Sequence, residues 1–131
     1  MPDRCTSTAT SCGTGRRAAG SVAVSPDGII VPAGGAGSRL QAIRDAGDRP
    51  ESLWKRDDLV QQGSPALAGG STGYTVTGNG ELSLVTFDLT TGETVDTDAM
   101  PGSTGYSPGV VVGAEGEVVV PTALGALYSF R

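Results

Sequence analysis

The sequence predicts an all-β chain built from small antiparallel sheets that recur along the polypeptide, and two observations lead to that prediction. The chain contains three copies of a repeat, and we call the strand-like residues with which each copy begins its opening. The three openings align on Ser21, Ser64 and Ser107, which are spaced at equal intervals of 43 residues. Between them lie short runs of Val, Leu, Ile and Thr, bounded by Gly-rich and Pro-rich turns. A period in the low forties made of short strands is typical of propeller blades. We therefore expect an incomplete β-propeller of consecutive four-stranded antiparallel blades.

The repeated region is expected to span residues 20–131, with copies that start near positions 20, 63 and 106. Residues 1–19 are rich in Ser, Thr and Gly and nearly free of large apolar side chains. Burial there cannot offset the entropy lost on ordering, so a flexible leader is expected. The alternative is an outer strand from this segment, because Thr6, Thr8 and Thr10 alternate as strand residues do.

The strands of each copy follow from the turn residues between them. In the first copy, Pro26, Asp27 and Gly28 supply the fixed φ, the polar side chain and the positive φ that a tight reversal needs. In the second, Asn79-Gly80 is the strongest two-residue hairpin signal of the chain. The predicted strands are 21–24, 29–32, 39–43 and 53–55 in the first copy, 64–68, 73–77, 81–88 and about 94–95 in the second, and 107–112, 117–122 and 126–130 in the third.

In two further turns, side chains are expected to form hydrogen bonds with the backbone. In residues 88–92, the Asp88 carboxylate and the Thr91 hydroxyl can accept backbone amides, and Gly92 can take the left-handed conformation. A shorter turn is expected at Asp45-Ala46-Gly47.

Composition and charge exclude several function classes. The net charge of −5 repels a phosphate backbone on average and no Lys/Arg cluster offsets it, so nucleic acid is not expected as a partner. No window approaches the roughly 18 apolar residues of a membrane span, and no apolar signal-peptide core is visible near Met1. The Ser/Thr/Gly-rich surface and the cysteine pair favour an extracytoplasmic parent protein.

The absence of histidine removes the commonest general base, the commonest metal ligand and every Ser-His or Cys-His nucleophile pair. Cys5 and Cys12 are the only cysteines. They either close a small disulfide loop in an oxidising compartment or remain free thiols, and both readings stay open. Two thiols without histidine cannot complete a tetrahedral zinc site.

The repeats resemble those of pyrroloquinoline-quinone-like propellers, a family that includes quinoprotein dehydrogenases and non-catalytic assembly and scaffold proteins. The resemblance covers residues 20–131 and rests on four features. These are the Ser-Pro openings (Ser64-Pro65, Ser107-Pro108), the Gly-x-Leu strand starts (Gly80-Glu81-Leu82, Gly125-Ala126-Leu127), the Asp-x-x-Thr-Gly turn (Asp88, Thr91, Gly92) and Trp54 at the end of the first copy. It implies that Trp54 docks one blade onto the next.

The chain departs from that family where a cofactor would be held. The resemblance implies a stacked tryptophan, calcium-binding carboxylate and amide groups, and adjacent cysteines, whereas the sole asparagine, Asn79, falls in a turn and the cysteines are separated. Val95-Asp96 stand where the second copy should carry its own tryptophan. The carboxylates beside glycines are explained by turns: Asp27, Asp45, Asp88 and Glu115. We therefore predict no catalytic, cofactor-binding or metal-binding residue and no cofactor, and we reject a weak calcium site at Asp96-Thr97-Asp98.

Three copies fall short of the four blades of the smallest closed propeller, so the ring is not expected to close within this chain. The leading hypothesis is a non-catalytic propeller-repeat segment that acts as a protein-binding or scaffold module. Its partner would be another protein, or a second copy that associates through exposed sheet edges. The alternatives are a fragment of a quinone-dependent dehydrogenase and a truncated product of a longer propeller gene.

Overall fold

The computed structural model describes residues 21–33, 39–78, 80–103 and 106–131. The predicted leader at residues 1–19, with Cys5, Cys12 and the alternating threonines, lies outside the described residues, as does Asn79.

The described residues form β-strands joined by turns. The strands are β1 (Ala23–Val24), β2 (Ile29–Val31), β3 (Arg39–Asp45), β4 (Pro50–Leu67), β5 (Thr72–Thr77), β6 (Ser83–Asp88), β7 (Thr94–Ala99), β8 (Val111–Val112), β9 (Val118–Pro121) and β10 (Leu127–Phe130). Every pairing between these strands is antiparallel, and each joins consecutive strands. The predicted all-β class with antiparallel sheets is therefore confirmed.

The strands make one seven-stranded sheet, in the order β1 to β7, and one three-stranded sheet, in the order β10-β9-β8. Within the larger sheet, β3 pairs with β4 between Pro50 and Val60, and β5 pairs with β4 from Gln61 onward. The two ends of β4 thus belong to different sets of four strands. We call β1–β3 with residues 50–60 the first set, and residues 61–67 with β5–β7 the second set.

The continuity of β4 corrects the prediction of two separate strands at 53–55 and 64–68. Residues 56–62 contain neither Gly nor Pro, so no reversal separates the two predicted strands. Gly63 instead takes φ +79° within β4, beside the register shift between Gln62 and Ala66. The pairing partner has already changed from β3 to β5 between Val60 and Gln61, and the irregularity at Gly63 shifts the register with β5 while the chain stays extended.

The turns use the residues that the sequence predicted. Asp45 Oδ1 accepts the Gly47 amide at 2.8 Å. In residues 88–92, Asp88 Oδ1 accepts the Thr90 and Thr91 amides at 2.8 and 3.2 Å, and Gly92 adopts φ +79°. These contacts satisfy backbone donors that the ladder leaves free.

Two apolar clusters fill the spaces between the two sets of strands and the three-stranded sheet. One joins the first set to the second through Ile29, Val31, Leu40, Ala42, Phe87 and Leu89. The other joins the second set to the three-stranded sheet through Val76, Leu82, Leu84, Met100, Val110, Val118 and Val120. The second set is therefore covered on both faces.

The three openings that align in the sequence contact one another in space. The Ser21 amide donates to Ser64 Oγ at 3.0 Å. The Ser64 amide donates to the Pro108 carbonyl at 3.1 Å, and the Val110 amide donates to the Ser64 carbonyl at 3.2 Å, forming a parallel bridge between Ser64 and Gly109. Residues 43 positions apart thus lie side by side.

We expect Gly63→Ala to destabilise the chain more than Gly70→Ala does. Both glycines have left-handed φ values, +79° and +76°, but a Cβ at Gly63 would collide with the Ser107 carbonyl oxygen, whereas one at Gly70 meets nothing within 4 Å. Urea denaturation should show a loss of about 3 kcal/mol or more for Gly63→Ala and about 1 kcal/mol for Gly70→Ala. Equal losses would mean that the openings do not approach this closely.

Candidate interaction surface

Trp54 connects the first set to the turn at residues 88–92 of the second. Its Nε1–H donates to the Leu89 carbonyl at 2.7 Å, and its ring meets Phe87 edge-on with centroids 5.7 Å apart. Gly92 lies against the ring so closely that a Cβ there would be 2.5 Å from Trp54 Cδ2. A glycine is thus needed at this position both for its φ and for the approach of the indole.

Arg56, two residues along the same strand, binds the same turn. Its Nη1 donates to the Gly92 carbonyl at 2.7 Å and to Thr94 Oγ1 at 3.0 Å. Its Nε and Nη2 donate to the two carboxylate oxygens of Asp58 at 2.8 and 2.7 Å. The hydrogen bond with Asp58 raises the pKa of Arg56, and the hydrogen bond from Arg56 lowers the pKa of Asp58. The bidentate pair thereby orients the guanidinium towards the turn.

The residues that the sequence singled out are not brought together. Asp45 and Asp88 bind backbone amides in separate turns, and Glu115 donates its amide to Glu117 Oε1 at 3.0 Å in a third. Asp27 lies in the turn between β1 and β2. Within the described ranges, no group of three or more His, Cys, Asp or Glu side chains is placed to hold a metal ion.

The strand β7 forms the outer edge of the second set. It pairs with β6 through Leu84–Asp98, Val85–Thr97 and Thr86–Asp96, and among the described residues no further strand follows it in the sheet order. All of its residues except the half-buried Asp98 are exposed, and Val95 retains 68% of its accessible surface. The sequence predicted only a short outer strand at about 94–95, whereas the strand continues to Ala99 although Asp is depleted in strands.

The segment that contains β7 is acidic, and the cation that contacts the strand, Arg56, binds Thr94 at its start. From Asp57 to Phe130 the sequence contains nine Asp and Glu residues and no Lys or Arg. The overall charge of −5 conceals this asymmetry, which is visible in the sequence once charges are counted by segment. None of the described residues form a helix with the length and apolar character needed to cross a membrane.

We expect Gly92→Ala to cost more stability than Gly116→Ala. Both positions have a positive φ, +79° and +88°, but only the first would push a Cβ into the Trp54 ring. The loss in free energy of unfolding should be about 3 kcal/mol for Gly92→Ala, from strain and lost docking together, and about 1 kcal/mol for Gly116→Ala. Trp54 is the sole tryptophan, so its emission in the folded variant should shift to the red. An unshifted emission would contradict the docking.

The Asp58–Arg56 pair predicts a pH dependence of stability. Because the folded-state pKa of Asp58 is lowered, its contribution is present above the unfolded-state pKa and is lost as the pH falls through the folded-state value. The melting temperature of the wild type should therefore be slightly higher than that of Asp58→Asn at pH 7, and this gap between the two melting temperatures should close at acid pH. Asp57→Asn removes the same charge one residue away and is the control. A gap that is constant with pH would refute the prediction.

Comparison with known proteins identifies the fold. No protein-family model matches the chain. Protein Rv3035 of Mycobacterium tuberculosis is 45% identical over 114 residues, covering 82% of this chain and 28% of Rv3035. The crystal structure of BamB from Moraxella catarrhalis, a β-propeller, is similar with a TM-score of 0.50 and 18% sequence identity, covering 86% of this chain and 36% of BamB. The chain therefore spans about a third of either protein, and its all-β fold is β-propeller-like.

Proposed function

We propose that the chain is a segment of a pyrroloquinoline-quinone-like β-propeller that serves as a protein-binding or scaffold module and not as an enzyme. The first and second sets would be two successive four-stranded blades, and β8–β10 would belong to a third. The contacts of Ser21 with Ser64, and of Ser64 with residues 108–110, support copies that start near 20, 63 and 106. The leader at residues 1–19 remains a prediction.

The contact between Trp54 and Gly92 supports the pyrroloquinoline-quinone-like assignment. A tryptophan that ends one copy binds the Asp-x-x-Thr-Gly turn of the next, as the sequence resemblance implied. The same contact gives Trp54 a structural role, because its partly buried ring lies against the turn and Phe87. The glycine-flanked carboxylates Asp45 and Asp88 likewise bind backbone amides.

The exposed edge of β7 is the observation that carries the protein-binding proposal. An edge strand offers a row of backbone donors and acceptors to which a partner strand can add. Here a six-residue strand with an exposed backbone edge is held at its start by Arg56, through Thr94 Oγ1, and at its end by the Met100 amide, which donates to the Leu82 carbonyl at 3.1 Å. A rigid edge reduces the entropy lost when a partner binds.

The proposal is tested by panning a library of displayed peptides against the immobilised chain. Peptides with strand propensity should be enriched, and they should bind the purified chain saturably and compete with one another. In parallel, the chain is titrated with pyrroloquinoline quinone and Ca²⁺, which should leave the quinone spectrum unchanged. A saturable absorbance shift with reduction of a dye by an alcohol or a sugar would favour the dehydrogenase alternative and overturn the proposal.

A further inference from the structure

We propose that the outer edge of β7 binds, by strand addition, an extended segment of another protein that carries Lys or Arg at alternate positions. The inference rests on the proposed function and specifies its surface and its partner. Three observations carry it, namely the direction of the outward amides, the hydrogen bond that caps one of them, and the negative charge of residues 57–130.

The pairing of β7 with β6 fixes which amides point outward. The Met100 amide donates to the Leu82 carbonyl, so these residues form a hydrogen-bonded pair just beyond the strand end. In an antiparallel ladder such pairs alternate with non-hydrogen-bonded ones, so Asp98 and Asp96 direct their amides towards β6. The amides of Thr97 and Ala99 therefore point away from the sheet, where a partner strand would dock.

One of these outward amides is covered by the neighbouring carboxylate. The Thr97 amide donates to Asp96 Oδ1 at 2.9 Å. A neutral strand that added here would replace this hydrogen bond with one to its own carbonyl, and it would offer the displaced carboxylate no partner. A cation opposite Asp96 would in addition draw the carboxylate towards itself as the Thr97 amide turns to the incoming carbonyl. The cap thus favours a basic partner over a neutral one.

The geometry of the strand sets the spacing of the basic residues. Asp96 and Asp98 pair with Thr86 and Leu84, so their side chains share one face of the sheet. Side chains two residues apart in a strand are separated by about 6.6 Å, which is also the spacing of alternate side chains on an added strand. Lys or Arg at positions i and i+2 of the partner can therefore pair with both carboxylates, and such cross-strand pairs are stabilising.

The charge of the chain disfavours the competing occupant, a second copy of β7. Two β7 edges brought together would place Asp96 and Asp98 of both copies within a few ångströms, where like charges opposite each other destabilise a pairing. A basic segment is attracted instead, because residues 57–130 contain acidic residues and no Lys or Arg. The edge is consequently protected from self-association while open to one class of partner.

The test measures fluorescence anisotropy with a labelled peptide, acetyl-Thr-Val-Lys-Thr-Lys-Val-Thr-amide, against the full chain. Saturable binding is expected, and the same peptide with both lysines replaced by threonine should bind about tenfold more weakly. Thr97→Pro should abolish binding, because it removes the outward amide without touching a ladder hydrogen bond. Circular dichroism checks that this variant is folded.

Charge variants test whether the lysine peptide binds through Asp96 and Asp98 or only through the net negative charge of the chain. Asp96→Asn/Asp98→Asn should weaken binding of the lysine peptide about tenfold, whereas Glu115→Gln/Glu117→Gln, which removes two charges elsewhere, should change it less than twofold. Equal losses in the two double variants, or unchanged binding to a folded Thr97→Pro variant, would overturn the inference. If library-derived peptides bind but the lysine peptide does not, the inference fails while the proposed function stands. If neither binds, both fail.

Discussion

The position of the first set of strands against the second depends on the packing of the Trp54 indole against Gly92. Only a residue without a Cβ permits that approach, and only a turn with a left-handed residue presents its surface to the ring. The Nε1–H bond to Leu89 and the guanidinium of Arg56 hold the same turn from the same strand. These contacts, all made from β4, fix the position of the first set against the second, and Trp54 packs against the apolar cluster that includes Phe87.

The continuity of β4 complements that contact. Because a single strand of 18 residues ends the first set and begins the second, the two sets are joined without a loop whose entropy would have to be lost. Just after the exchange of pairing partners between Val60 and Gln61, Gly63 lies at the register shift with β5 and allows the Ser107 carbonyl to approach. This approach brings the segment that precedes β8 against β4.

Much of the fold could be predicted from the sequence, because its turns depend on interactions between residues that are close together in the chain. Asp88, Thr91 and Gly92 form the predicted turn because side-chain acceptors and a left-handed glycine act within five residues. The join within β4 was missed because strand length depends on partners distant in the sequence. Successive residues of a strand face opposite sides of the sheet, yet Leu40, Gln41 and Ala42 are all buried, because both faces of β3 are covered. The length of β7 was missed for a related reason, since the sequence predicted an outer strand only at about 94–95, whereas pairing with β6 extends it through Asp96 and Asp98.

The most direct test of the account is a nuclear magnetic resonance measurement of the environment of Trp54 in the folded chain. We expect nuclear Overhauser contacts between the indole ring protons and the Gly92 α protons, an upfield ring-current shift of those α protons, and slow exchange of the indole N–H that donates to Leu89. An indole N–H that exchanges at the rate of a free side chain, with Gly92 α protons at ordinary shifts, would contradict it.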